Sequence, residues 1–283
     1  MISIIVSSRQ PEQLFRLREN IQQSIGVPFE LLSYSNTQGA VGLCKVYNDL
    51  AQQAQFATLL FLHEDVLFQT QSWGNILIDI LRNTNVGLVG VLGADTLTKV
   101  PAGWAKQDAR FNKGILKQYG ETFSQGEQLS RAIPVLSIDG VFMATTKAIW
   151  NEFKFDEATL LGFHGYDFDF SMQIAQKYQV LVCSEIIIEH FSKGSFNQDW
   201  INTTILLNKK WSHQLPKSLV LGLTKAEWDS LEFWQAEFML KLIHMHRLGF
   251  APSWYVLQQF VQMKFSRLFL ALKLFPCIIF RKQ

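Results

Sequence analysis

The chain has 283 residues, of which 48% are hydrophobic, 18% charged and 13% aromatic. That composition excludes a disordered or low-complexity polymer, which could not bury enough apolar surface to offset its chain entropy. The 26 Lys and Arg against 24 Asp and Glu leave a formal charge of +2, too little for a general polyanion binder, so no nucleic-acid partner is expected. The charge is uneven, however: the last thirty residues are aromatic and basic and contain no carboxylate.

The first residues, Met1 to Arg9, have no basic segment ahead of their apolar run, and that run is strand-length rather than leader-length. Cys44, Cys183 and Cys277 are odd in number and widely spaced, which argues against a disulfide framework or a thiolate zinc site and fits a reducing cytoplasm. No apolar stretch reaches the roughly 20 residues needed to span a bilayer.

Strand and helix patterns alternate through the first two hundred residues. Ile2 to Ser7 is a β-rich run; Pro11 opens a helix through Ser24, which Gly26 stops. Glu30 to Ser35 reads as a strand, Gly42 to Gln53 as a helix, and Ala57 to Leu62 as a buried strand ending in His63-Glu64-Asp65. Trp73 to Arg82 is helical and Val86 to Leu92 is another buried strand. This order predicts an α/β fold, a mostly parallel mixed sheet with helices on both faces and functional groups at the carboxyl ends of the strands.

From Gly93 to Pro134 the periodicity fades among scattered glycines, predicting an irregular, partly mobile insert. Val135 to Thr145, helices near Lys147 to Glu152 and Asp169 to Lys177, and a strand at Val180 to Ile188 complete the core, and the chain then turns helical. Thr224-Lys-Ala-Glu227 is a capping box before a long helix that ends at Gly249, and Pro252 starts the last one. Two parts are expected: a domain over 1–197 and a helical extension over 198–283.

Three clusters carry chemistry. His63-Glu64-Asp65 at a strand end can hold a divalent cation that a diphosphate completes, or can be a solvated turn. Phe163-His-Gly-Tyr-Asp-Phe-Asp-Phe-Ser171 sets two carboxylates among bulky apolar groups, which raises a carboxylate pKa for general-base work; helix capping is the competing reading. His190, directly after a buried strand, is either a rim histidine or the imidazole that finishes a metal site.

In their order along the chain these clusters, with Ile138-Asp-Gly-Val-Phe-Met-Ala144 and Phe155-Asp-Glu between them, resemble the GT-A glycosyltransferases. The closest likeness is to family 2 relatives with a His-Glu-Asp triplet and a His-x-Tyr-Asp-x-Asp motif, over about residues 1 to 195. The resemblance implies a Rossmann-like GT-A domain that binds a nucleotide-diphosphate sugar, UDP-linked, at the strand ends. Ser7, Ser8 and Arg9, with Asn36, would flank the nucleotide. The segment from Gly42 to Asn48, including Lys45, matches the stretch preceding the metal strand.

By the same resemblance Asp65, with His190, would bind Mn²⁺ or Mg²⁺. His63 stands where the family has its first Asp, beside Glu64 on the donor side. Asp139 and Gly140 match the segment near the donor sugar. Asp167 matches the catalytic base of inverting members, and Tyr166 replaces a Glu. His164, Tyr166 and Asp169 fall in the acceptor region. A carboxylate that deprotonates a saccharide or lipid-linked acceptor hydroxyl on the far face of the sugar implies a single displacement with inversion. The rival reading is a catalytically silent nucleotide-sugar-binding or scaffold protein of the same fold.

Within 252–283, Leu257, Phe260, Val261, Phe265, Leu268 and Leu272 form one helical stripe, with Gln259, Gln262, Ser266 and Lys273 opposite. The stripe can pack on the catalytic domain or on a second copy of the chain, making a homo-oligomer. It can also lie on the inner membrane face, with Lys264, Arg267, Lys273, Arg281 and Lys282 meeting anionic lipid.

Overall fold

The computed structural model describes all residues except 106–107, 119–120, 126–130, 193 and 263–283; of 121–125 and 262 it describes the backbone. In chain order the elements begin β1 (Ile2–Ser8), α1 (Pro11–Ser24), β2 (Phe29–Ser35), α2 (Leu43–Gln53), β3 (Thr58–Leu62), β4 (Val66–Phe68) and α3 (Trp73–Leu81). They continue with β5 (Val86–Gly90), β6 (Leu92–Ala94), β7 (Thr96–Leu97), β8 (Asn112–Gln118), β9 (Glu121–Gln125), β10 (Ala132–Val135), β11 (Ser137–Ile138) and β12 (Phe142–Thr146). Then come α4 (Lys147–Phe153), α5 (Tyr166–Ile174), β13 (Gln179–Cys183), β14 (Ile188–His190), α6 (Gln198–Lys210), β15 (Lys217–Ser218), α7 (Lys225–Met245) and α8 (Phe250–Gln262).

The main sheet has seven strands in the order β10-β13-β5-β12-β3-β1-β2. β1 runs parallel to β2 and β3, and β13 parallel to β5, whereas β12 is antiparallel to both β3 and β5. Two apolar layers cover it. Tyr47, Phe61, Trp150 and Phe170 pack on one face, and Leu17, Trp73, Leu77 and Phe142 on the other. Aliphatic strands buried on both faces are what the alternation of strands and helices requires.

The segment from Gly93 to Pro134, expected to be irregular, contributes instead to a second sheet. Its order is β11-β6-β8-β14-β4, with β9 paired to β8. The strands are short and find their partners far along the chain, β8 beside β14 and β14 antiparallel to β4, so local periodicity carries little trace of them. This sheet is what brings His190 to the first one. His190 sits opposite Val66, and the Phe191 amide donates to the Asp65 carbonyl at 3.0 Å.

The capping box forms as read: the Glu227 amide donates to Thr224 Oγ1 at 3.3 Å, and the Thr224 amide to Glu227 Oε2 at 2.9 Å. The long helix stops at Met245 rather than Gly249, and the next begins at Phe250, two residues ahead of Pro252. Val256, Leu257 and Phe260 of α8 are buried against Ala236, Met239, Leu240 and Ile243 of α7. Gln259, assigned to the polar face, is also buried, because that face turns inward at this point of the hairpin. Phe265, Ser266, Leu268, Leu272 and the basic residues from Lys264 onward lie outside the described residues.

A buried carboxylate is one of the ties between α7 and the loop after β7. Glu232 of α7 is fully buried and accepts the Lys99 amide at 2.7 Å and the Val100 amide at 2.9 Å. Lys99 Nζ in turn donates to the Ser212 carbonyl at 2.7 Å. Replacing Glu232 by Ala strands two buried amides. It should cost about 2–4 kcal/mol in urea denaturation, whereas Gln, which still offers one acceptor, should cost less.

Candidate active site

A single cavity of about 1110 Å³ opens at the carboxyl ends of β1, β3 and β12, with β14 and β8 on one side and α6 and α7 closing the far wall. Ser7, Arg9, His63, Glu64, Asp65, Asp139, Gly140, His164, Tyr166, Asp167 and His190 all line it. Residues from as far apart in sequence as Ser7 and Phe238 therefore share one space.

At its floor, Asp65 lies between two imidazoles. Asp65 Oδ1 is 3.3 Å from His190 Nε2 and 3.9 Å from His63 Nδ1. Burial pushes the Asp65 carboxyl up, but the hydrogen bond and charge of His190, helped by His63 and Ser192, outweigh it and hold the pKa at about 2. The His63 imidazole is pushed down, first by burial and then by His190, so it favours the neutral form that can ligate a metal. One ligand atom from each of the three residues lies within 4.8 Å of the others, a set that fits a divalent cation with open positions. His63, expected on the donor side, thus belongs to the same cluster as Asp65 and His190.

The two departures from the family motif touch each other. His63 Nε2 and the Tyr166 hydroxyl are 2.8 Å apart, which leaves His63 Nδ1 turned toward Asp65. Tyr166 is itself seated against Tyr47, with ring centroids 5.6 Å apart and planes at 80°. Gly140 makes the arrangement possible, since a Cβ there would sit 2.1 Å from the Tyr166 hydroxyl oxygen.

Asp167 stands in the first turn of α5. That helix starts at Tyr166, earlier than the expected Asp169, because Gly165 takes up φ +79° ahead of it; a Cβ on Gly165 would lie 2.5 Å from Leu207 Cδ1. Asp167 Oδ1 accepts the Phe168 amide at 2.8 Å and Oδ2 accepts the Gly140 amide at 3.2 Å. Burial, followed by the nearby Asp139 charge, raises the Asp167 pKa to about 7, overcoming these amides. A carboxyl poised there can exchange a proton with a hydroxyl near neutral pH. Asp139 keeps its own place by accepting the Val141 amide at 2.7 Å and the Trp104 indole N–H at 2.6 Å.

Other residues singled out from the sequence serve the frame. Asp169 is buried behind α5, held by Trp211 Nε1 at 2.8 Å and Lys210 Nζ at 2.7 Å, and does not line the cavity. Asn48 ties α2 to the turn after α4 through the Phe155 amide and carbonyl, and Lys45 pairs with Asp49 on the surface at 3.0 Å; neither lines the cavity. Asn36 braces its own loop through the Val41 carbonyl at 2.7 Å, which leaves Thr37 at the cavity wall. Glu64 accepts Ser8 Oγ at 2.7 Å and the Arg9 amide at 2.9 Å, fixing the loop that presents Arg9. Sequence reasoning missed Thr37, Trp104, Trp200, Gln235 and Phe238; the tryptophans alone carried a signal, as bulky aromatics in polar or helical stretches.

The strands thus end in a cavity that holds a candidate cation cluster and a buried carboxyl with a raised pKa. The family model described as "Glycosyltransferase like family" matches residues 2–213, and the chain belongs to that family. Among solved structures the chain is similar to GalNAc-T7 crystallised with UDP, GalNAc and Mn²⁺. The TM-score is 0.53 and the identity 11%, over 94% of this chain and 57% of that one. It is also similar to residues 1–349 of S. aureus TarS, with a TM-score of 0.49 and 14% identity over 93% of this chain and 81% of that one. The chain thus spans little more than half of the GalNAc-T7 chain. No curated protein matches the sequence.

Tyr166→Phe and Gly140→Ala should each release the His63 ring. Outer partners of metal ligands typically contribute 10–100-fold in affinity, so about a tenfold weaker Mn²⁺ affinity is expected in calorimetry. Tyr166→Phe should leave the fold intact.

Proposed function

We propose that this chain transfers a sugar with inversion from a UDP-linked donor to a hydroxyl of a saccharide or lipid-linked saccharide. The observation carrying this reading is Asp167, a carboxylate poised near neutrality on the wall of the cavity whose floor is the His63, Asp65 and His190 cluster.

His63, Asp65 and His190 would hold Mn²⁺ or Mg²⁺, which when bound neutralises charge developing on the departing diphosphate. Ser7, Arg9 and Thr37 edge the end where the nucleotide is assigned, and Arg9 offers a cation to it. Asp139 and Gly140, on the turn before β12, would face the donor sugar. Asp167 takes the proton of the acceptor hydroxyl as its oxygen bonds to the anomeric carbon and the bond from that carbon to the diphosphate oxygen breaks. Gly140 N–H and Phe168 N–H fix both carboxyl oxygens of Asp167, so the base does not turn away from the cavity. His164, also on the wall, belongs to the acceptor side.

Membrane contact is assigned to the α8 hairpin and the tail beyond it, at the inner face of a cytoplasmic membrane. No described helix is long and apolar enough to cross a bilayer. Phe250 and Trp254 stack with centroids 5.8 Å apart and are 66% and 48% exposed, and in the sequence basic residues follow Gln262. Ending the chain after Gln262 keeps α8 and should reduce co-sedimentation with anionic vesicles; unchanged sedimentation would oppose the assignment.

Asp167→Asn should lower transfer at least about a hundredfold while sparing calorimetric UDP binding in Mn²⁺. Full turnover in that variant would remove Asp167 from the chemistry. Asp65→Ala should abolish the metal dependence of UDP binding. Because the base must be unprotonated, the wild-type rate should rise with pH through about 7. The same raised pKa means that the folded state resists ionising Asp167. Asp167→Asn should therefore gain stability relative to wild type as pH rises above the ordinary carboxylate range, and lose that advantage in acid.

A further inference from the structure

The turn that carries Asp139 and Gly140 meets α5 through two of its amides. The Asp139 amide donates to the Leu92 carbonyl of β6 at 2.9 Å. Successive amides of an extended chain point to opposite sides, so those of Ile138 and Gly140 face away from β6. Both find their acceptors on α5. The Gly140 amide donates to Asp167 Oδ2 and the Ile138 amide to Ser171 Oγ, each at 3.2 Å. The two acceptors stand about one helical turn apart.

Ser171 also donates: its hydroxyl reaches the Asp167 carbonyl at 2.7 Å. One oxygen therefore joins the Ile138 amide to the backbone of Asp167. Ser171 is fully buried and does not line the cavity, so it touches no ligand itself. A serine that bonds only the carbonyl four residues back slightly weakens a helix, and alanine would favour the helix without burying a hydroxyl. The bond from an amide outside the helix is what sets Ser171 apart.

The two links between turn and helix differ in kind. A hydrogen bond to an ionised carboxylate is roughly twice as strong as one to a neutral carboxyl, so the Gly140 link weakens when Asp167 takes up a proton. The Ser171 link is made to backbone groups and is the same in both states. From this arrangement we infer that Ser171 is a positioning residue for the base: it fixes the Asp167 backbone against the Ile138–Gly140 turn and so keeps the Asp167 carboxyl on the Gly140 amide. A misplacement of about 1 Å in a reacting group can cost a hundredfold in rate, which is what such a link guards against. The inference rests on the proposed glycosyl transfer and deepens it, because the segment assigned to the donor sugar and the base then move as one unit.

The test uses the full chain and reads amide hydrogen exchange by NMR at Gly140 and Ile138, with Val6 of β1 as the reference for overall stability. In Ser171→Ala, and in Ser171→Cys, which is similar in shape but a poor hydrogen bonder, Gly140 should exchange about tenfold faster relative to Val6. A serine with a merely structural role would release the Ile138 amide and leave Gly140 as it was. Gly140 exchange at the wild-type rate in either variant overturns the inference. Calorimetric UDP binding in Mn²⁺ is read separately on the wild type. Its failure would sink the donor reading and leave the exchange rates to decide on Ser171, whereas normal UDP binding with Gly140 unaffected would sink the positioning role alone.

Discussion

The position of Asp65 between two imidazoles is the constraint on which the rest of the site depends. Three side chains that could share a cation lie with their ligand atoms within 4.8 Å of one another. Holding a carboxylate at a pKa of about 2 there requires that both histidines be delivered, and each comes from a different sheet. His63 ends β3 of the main sheet; His190 ends β14 of the smaller one. The pairing of β14 with β4 and the Phe191 amide on the Asp65 carbonyl therefore set the geometry of the cluster as well as of the fold.

The opposite electrostatic solution is found at Asp167. Both carboxylates are shielded from water, but Asp65 has imidazoles as neighbours and Asp167 has another acid, Asp139. Burial raises both; the neighbours decide the sign of the outcome. One cavity thus holds one carboxyl with a lowered pKa and one with a raised pKa, the separation that the proposed charge-holding and proton-accepting roles need.

Much of this was legible in the sequence, and the limits have physical causes. That Asp65, Asp167 and His190 would meet at one cavity could be expected because they follow buried strands or open a helix, at the strand ends of an α/β fold. Asp169 was not separable from Asp167 by sequence. Two residues apart on a helix, they point to nearly opposite sides, and only the packing of Lys210 and Trp211 decides which side is the interior. For the same reason the sequence did not show that Lys45 and Asn48 of α2 lie off the cavity. The segment after Gly93 looked irregular because its strands are short and several of them pair across long sequence separations, and Gln235 was hidden in a helix whose inward face is wide and mixed. The pairing of His63 with Tyr166 could be noticed as two separate departures, but only the fold makes them neighbours.

A cation held by both His63 and His190 is the claim from which the account is built, and pulsed electron paramagnetic resonance on the Mn²⁺-loaded protein addresses it directly. The account predicts couplings from two directly bound imidazole nitrogens, one of which disappears in His63→Ala and the other in His190→Ala. A spectrum without imidazole nitrogen coupling, or one unchanged by either substitution, would contradict it.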